Sequence, residues 1–411
     1  MRRFSAANGM NKETLNGNHR AAAADLLRVV SIAVVAWYHF WQQSWLNPNF
    51  ELFGHTIDIY PIIRCGYMFV YNLILISGFL LMLNRLSGRY QSPAQFYKSR
   101  AKRILPSYLF CIAVFLILSN QPGGTYDYSG GEAHMRMDLI SHLTFTHNLF
   151  AQSYNATGLN VALWTLAVEV QFYLLFPILS EYFAKKPLLT YAAMVLISIA
   201  GKAYVQISFE DSTLHINRLV PMLDVFANGM LAACIYDKLK NTSQPSFIHF
   251  PIALAACVGM VITVRDISYI GGGEEGRMAQ MWGASVFSAY GAFFLVSGSL
   301  CHGSISFFLS NPPIRFLGGI SYNFYIWHQP VAVWLKKLHI PDYTEEYPNM
   351  SGNVVWQHRY MLICALAALL VAVAATYLIE KPCARLFSAH KAEDKKKPAK
   401  ESKRIVSPDK L

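Results

Sequence analysis

Ten stretches of this chain are long and apolar enough, or nearly so, to cross a lipid bilayer, and no soluble fold accommodates that many. A spanning helix needs about 20 mostly apolar residues. In hydrocarbon, every backbone N–H and C=O must find its partner within the protein, which leaves helices or closed barrels. The stretches lie at about 26–46, 62–83, 104–119, 163–183, 188–207, 219–236, 248–264, 281–300, 317–338 and 360–379, the third and seventh being short. The expected fold class is therefore all-α integral membrane, with about ten transmembrane helices. Only 14% of the residues are charged, against about 25% in soluble domains.

The charges that remain are sorted. Lys plus Arg exceed Asp plus Glu, giving a net charge of +11. With the N-terminus cytoplasmic, the inside segments carry 25 Lys and Arg and the outside segments 5. That bias orients a multispan protein and places both termini in the cytoplasm. It also removes nucleic acid as a partner and leaves membrane lipids. The chain divides into a cytoplasmic N-terminal segment (1–25), a membrane domain (26–385) with a long outer loop (120–162), and a basic, disordered cytoplasmic tail (386–411). The first apolar stretch is too long for a cleavable signal and reads as an anchor. The seven cysteines show no C-x-x-C spacing, so neither a disulfide framework nor a metal site is expected.

Ionisable residues inside a membrane are expensive and usually functional. Arg28 and His39 lie eleven residues apart on the first span, close to three helical turns. Both therefore face nearly one side, about 16 Å apart along the axis. Neutral imidazole suits a general base near neutral pH. Glu169, with Trp164 and Tyr173 on the fourth span, is read as a group that orients or tunes that base. The other reading is a plain structural hydrogen bond. Before the third span, the R-x-x-R spacing brings Arg100 and Arg103 to one side of a helical start. Two guanidinium forks there can clamp phosphates, with Lys102 and Lys98 adding to the field. Positive-inside anchoring is the plainer explanation of the same residues. Ser77-Gly78 on the second span suggests either close helix packing or a polar site contact. Asp224 on the sixth span, with Tyr325 and His328 on the ninth, completes the substrate-binding or supporting candidates. The sequence holds no G-x-S-x-G and no P-loop. That argues against serine hydrolases and NTPases.

In order along nearly the whole chain, these residues form a pattern. It runs Arg28-x10-His39, Ser77 to Leu81 (SGFLL), Arg100-x-x-Arg103-x-x-Pro106, HLTFTHNL, Trp164-x4-Glu169-x-Gln171-Phe172-Tyr173, Ser321-Tyr322-x-x-Tyr325-x-Trp327-His328 and Tyr377-x-x-Glu380-Lys381-Pro382. The pattern resembles the acyltransferase-3 family, membrane-bound O-acyltransferases that modify surface polysaccharides. The resemblance implies ten core helices, an acyl-CoA donor from the cytoplasm, an essential Arg–His pair in the first span and an acceptor hydroxyl often on the far side. Two positions depart from the family's pattern: Leu73-Ile74 stands where an aromatic pair is usual, and Gly319 where a basic residue is often found. The chain ends soon after the core, so an enzyme relying on an appended hydrolase-like domain is not expected.

The expected function is an O-acyltransferase, an O-acetyltransferase above all, of the cell inner membrane. It would move an acyl group from acyl-CoA (acetyl-CoA) to a hydroxyl of a glycan or glycolipid such as O-antigen or exopolysaccharide. Acyl-CoA is a substrate in this reading, and no tightly bound cofactor or metal is expected. His39, Arg28 and Glu169 are the catalytic candidates. Arg100, Arg103, Lys102 and Arg28 are the candidates for holding the donor. The alternative from another class is a multispan secondary transporter or flippase, which buried His, Glu and Arg would also fit. No internal repeat is visible to support it.

Overall fold

The computed structural model describes residues 12–386 apart from 48, 90, 91, 123, 127–130, 242–245 and 310, with backbone only for 12–22, 50, 52 and 246. The tail assigned to 386–411 lies, beyond Leu386, outside the described residues. Ten helices of 17 residues or more run through the described part: α1 (Lys12–Ser44), α2 (Val70–Leu86), α3 (Pro93–Ser119), α4 (Trp164–Lys185), α5 (Pro187–Ser208), α6 (Leu223–Leu239), α7 (Ser246–Ile270), α8 (Gly273–Leu300), α9 (Pro312–Lys337) and α10 (Val354–Ala374). Each matches one of the ten apolar stretches. α10 continues through a π-helical turn, Ala375–Glu380. A small hairpin pairs Asn49–Leu52 with His55–Asp58.

Local chemistry sets several helix starts. Ser92 accepts a hydrogen bond from Gln95 N at 3.3 Å, and Asn311 accepts one from Ile314 N at 3.0 Å. Each cap is followed by proline, whose missing N–H is harmless in the first turn. α3 therefore begins well before its apolar stretch, and the basic run from Lys98 to Arg103 is helical.

Eight of the spans are long and apolar enough to cross a membrane, so the protein is a multi-pass integral membrane protein. α6 and α9 fall short, which refines the expectation of ten equivalent spans. α6 has 17 residues, and Leu223 through Met230 are buried without interruption. α9 carries Asn323, His328 and Gln329 along its length. A helix walled by other helices does not need to be apolar on every side. Elsewhere lipid-facing residues are plain: Leu362, Leu366 and Leu370 form an outward stripe on α10, at the four-residue helical spacing.

α2 and α6 form the middle pair, with α1, α4 and α8 against α2, and α5 and α8 against α6. α9 packs between α1 and α10. Glycine sets the central crossing. A Cβ on Gly229 would stand 2.1 Å from Leu75 O, and one on Gly78 2.6 Å from Phe226 O. Backbones approach that closely only where no side chain intervenes.

Asp224, expected among the substrate-binding or supporting residues, belongs to this packing. Its carboxylate takes Lys202 Nζ of α5 at 2.7 Å, Ser198 Oγ at 3.0 Å and the hydroxyl of Ser285 on α8. The pair is buried and lines none of the cavities described below. Polar groups this deep must satisfy one another, and these three helices do so.

The loop at 120–162 folds over one end of the bundle as a helix, Gly131–Leu143, and shorter turns. Asp138 is its anchor. Its Oδ2 accepts from Tyr126 OH at 2.6 Å, Thr157 Oγ1 at 2.8 Å and Gly158 N at 3.0 Å. Its Oδ1 is 3.0 Å from His142 Nδ1. The His142 and His147 rings stack 3.9 Å apart. Burial and the nearby His142 push His147 down to about 3. Burial of Asp138 opposes ionisation, yet the bonds from His142, Tyr126 and Thr157 outweigh it and hold the carboxyl below its ordinary value.

Two outcomes follow. Asp224→Ala leaves Lys202 buried without its partner and should destabilise the protein by roughly 3–5 kcal/mol, read as thermal melting in detergent. Asp224→Leu combined with Lys202→Met should recover most of it, and a silent Asp224→Ala contradicts the structural role. The stability Asp138 gives the loop is full above the unfolded value of 3.8 and lost as pH falls through the lower folded value, because the unfolded chain protonates first. Pepsin cleavage in the loop should therefore rise steeply in that acidic window. Cleavage independent of pH there contradicts the anchor.

Candidate active site

Two cavities enter the bundle and share one wall. The first, about 740 Å³, is lined by Arg28, Ser77, Arg100, Arg103, Glu169 and Tyr173, among others. It collects α1, α2, α3, α4 and α9. The Arg100 guanidinium lies 5.9 Å from the Phe96 ring centre and 6.0 Å from that of Tyr173, within cation–π range. Tyr173 OH donates to Glu169 Oε1, and Ser77 Oγ donates to the same oxygen at 2.5 Å. Arg28 Nη1 donates to Asp25 Oδ1 at 3.1 Å. Three guanidinium groups thus line a cavity with one carboxylate, Glu169, bound to two hydroxyls, while Asp25, outside the lining, pairs with Arg28. Such a surface suits an anionic group.

Lys102 is not part of that lining. On a helix, Arg100 and Arg103 share a face while a residue two away from Arg100 turns off it. The structure therefore removes Lys102 from the expected anion cluster.

The second cavity, about 940 Å³, is lined by His39, Tyr71, Trp164, Asn217, Gln280 and Gln329, among others. His39 Nδ1 is 2.9 Å from Gln42 Oε1, and Gln42 Nε2 donates to Tyr38 OH at 2.9 Å. The amide's donor end is therefore committed to Tyr38. Its oxygen then accepts from Nδ1–H, which leaves Nε2 of His39 as the lone-pair nitrogen. The His328 ring packs against His39, centres 5.1 Å apart. His328 Nδ1 is itself tied to Tyr325 O at 2.7 Å.

Glu169 was expected to hold or tune that imidazole. It lies instead in the first cavity with Ser77 and Tyr173, and Gln42 occupies the orienting position. The correction has a simple cause. Glu169 sits one turn beyond Thr165, on the other side of the shared wall.

That wall is Val70 and Tyr325, which line both cavities. Tyr325 OH accepts from Thr165 Oγ1 at 2.8 Å and donates to Ala162 O at 3.2 Å. Thr165 lines the first cavity and Ala162 the second. A second tie lies at the next residue of α9, Ile326. Pro330 has no N–H to give Ile326 O, and Asn160 Nδ2 donates there at 2.8 Å. Asn160 Oδ1 also accepts from Ala162 N at 3.0 Å, so one side chain fixes the start of α4 against α9.

Comparison with known proteins identifies the family of the chain. An acyltransferase-domain profile of the acyltransferase-3 type matches residues 22–381. The chain belongs to the acyltransferase-3 family. It is 26% identical over 307 residues to the O-acetyltransferase OatA of Staphylococcus aureus, covering 67% of this chain and 47% of that protein. It is 25% identical over 377 residues to the putative peptidoglycan O-acetyltransferase YrhL of Bacillus subtilis, covering 87% and 54%. With the peptidoglycan O-acetyltransferase OatA of Listeria monocytogenes, identity is 24% over 336 residues, covering 78% and 51%. The chain spans about half the length of these relatives. No solved structure matches it.

Asp25, Gln42, Asn160 and Thr165 are site residues that sequence reasoning passed over. Asp25 and Gln42 stand three residues from Arg28 and His39 on the same helix, a spacing that flags contact. Asn160 and Thr165 gave no such signal, since their partners lie on a distant helix. Replacing Gln42 with Leu frees the imidazole to adopt the wrong tautomer. Acyl transfer should fall roughly tenfold or more, measured as turnover at saturating substrates. Unchanged turnover would remove Gln42 from the site.

Proposed function

We propose that this acyltransferase carries an acetyl group from acetyl-CoA in the basic cavity to a hydroxyl of a surface glycan in the His39 cavity. The observation that carries this reading is the pair of cavities sharing the Val70–Tyr325 wall. One presents guanidinium groups and the other a histidine with a fixed tautomer.

Arg100, Arg103 and Arg28 would hold the phosphates of the coenzyme, which Arg forks suit better than Lys. The pantetheine arm then reaches past Ser77 and Glu169 toward Tyr325. His39 Nε2 takes the proton of the acceptor hydroxyl. The oxygen attacks the thioester carbonyl, the C–O bond forms, the C–S bond breaks, and the proton goes to the departing sulfur. The excess of Lys and Arg in the segments on one side, 25 against 5, supports orienting the basic mouth and both termini to the cytoplasm, with the protein in the plasma (inner) membrane. The relatives named as peptidoglycan O-acetyltransferases favour a cell-wall glycan as acceptor over O-antigen or exopolysaccharide.

Purified protein in lipid, given labelled acetyl-CoA and a glycan, tests this directly. His39→Ala should lower transfer by about 10²–10⁴-fold while membrane insertion is retained. Arg100→Ala should raise the KM for acetyl-CoA roughly tenfold, and Lys102→Ala should leave it unchanged. Wild-type transfer in His39→Ala, or acetyl-CoA neither bound nor consumed by the wild type, would contradict the enzyme and favour a transporter.

A further inference from the structure

A third cavity, about 730 Å³, lies between the end of α3, the loop at 120–162 and the last turns of α9. Its lining includes Ser119, Thr157, Asn160, Gln329, Trp334 and Lys337. Val161 and Gln329 line both this cavity and the one that holds His39. At that junction, the side-chain oxygen of Gln329 is buried and has no hydrogen-bond partner among the described residues. A buried acceptor left unmatched is costly unless a donor arrives. Gln329 also directly follows His328, whose ring packs on His39.

We propose that Gln329 and the two cavities it joins form the acceptor site, and that the acceptor is an extended glycan of at least two sugar units. The hydroxyl to be acylated, or its neighbour on the same ring, donates to the Gln329 oxygen. Further sugar units lie along Trp334 in the third cavity. The inference rests on the glycan-acceptor reading above and names its binding residues.

The chemistry selects this class. A carboxamide offers an oxygen that accepts and an N–H that donates, and a sugar hydroxyl can meet either. The junction therefore suits a hydroxyl-rich acceptor beside His39. The third cavity sets Ser, Thr, Asn and Gln side chains beside an indole. Lys337 Nζ, 5.0 Å from the ring centre, covers part of that indole. An amphipathic ring with polar neighbours suits a sugar, which has an apolar face and a polar edge. The two cavities share Val161 and Gln329, so a chain of sugar units can lie across both.

Binding to protein in lipid nanodiscs tests the proposal without requiring turnover. The probes are chitotetraose and N-acetylglucosamine, with acetyl-CoA binding in the same samples as the control for folding. The wild type should bind the tetrasaccharide about tenfold or more tightly than the monosaccharide. Gln329→Met, which keeps length but loses the oxygen, should weaken the tetrasaccharide about tenfold or more. Gln329→Glu, which keeps an accepting oxygen, should stay within about threefold of the wild type. Trp334→Ala should weaken the tetrasaccharide only. Equal affinity for the two probes, or wild-type affinity in Gln329→Met with acetyl-CoA still bound, overturns the proposal. Gln329-dependent binding without transfer of label from acetyl-CoA upholds the site and overturns the acetyltransferase reading instead.

Discussion

The site depends on how the start of α4 is tied to α9. Tyr325 OH holds Thr165 and Ala162, and at the next residue Asn160 supplies the hydrogen that Pro330 withholds from Ile326 O. These bonds join residues about 160 positions apart. They set where Glu169 falls along α4, and they place Tyr325 as a wall between two polar cavities. Without the wall, an open polar path would run from the arginines to His39 through a protein that must also seal a membrane. With it, the arginine-lined cavity and the His39 cavity stay separate chambers.

The same tie explains why two inner helices depart from a plain transmembrane pattern. α9 carries His328, Gln329 and Asn323 because both its polar faces meet protein. Asn323 Nδ2 donates to Thr376 Oγ1 at 2.8 Å and to Glu380 Oε2 at 2.6 Å, so the closing Tyr-x-x-Glu-Lys-Pro run locks α9 to the π-helical turn after α10. α6 is enclosed by its neighbours and keeps Asp224 by pairing it with Lys202. Polar residues in this bundle thus fall into two kinds. Some satisfy one another across helices and hold the frame. Others face a cavity.

Much of the fold was legible in the sequence, because span length and charge bias are properties of single segments. The Arg100 and Arg103 pairing was legible for the same reason, as three-residue spacing on one helix decides it, and that geometry also removes Lys102. What the sequence could not reveal was which side chains meet across helices. Glu169 looked like a partner for His39 because a carboxylate inside a membrane needs a partner. Of its actual partners, Tyr173 stands four residues along its own helix, whereas Ser77 comes from α2, which the Gly78–Gly229 crossing sets at the centre. Asp224 looked functional because it is an acid in a membrane. Its role became visible only once Lys202 and Ser285 were placed beside it.

The central claim is that the two substrates enter from opposite ends and meet at Tyr325. Sealed proteoliposomes test it whatever the mixture of orientations. Labelled acetyl-CoA is supplied outside only, and the glycan either inside only or outside only. The account requires product when the two are on opposite sides, and none when both are outside, because each molecule then exposes only one of its chambers. Efficient transfer with both substrates on the same side of an intact membrane would contradict it.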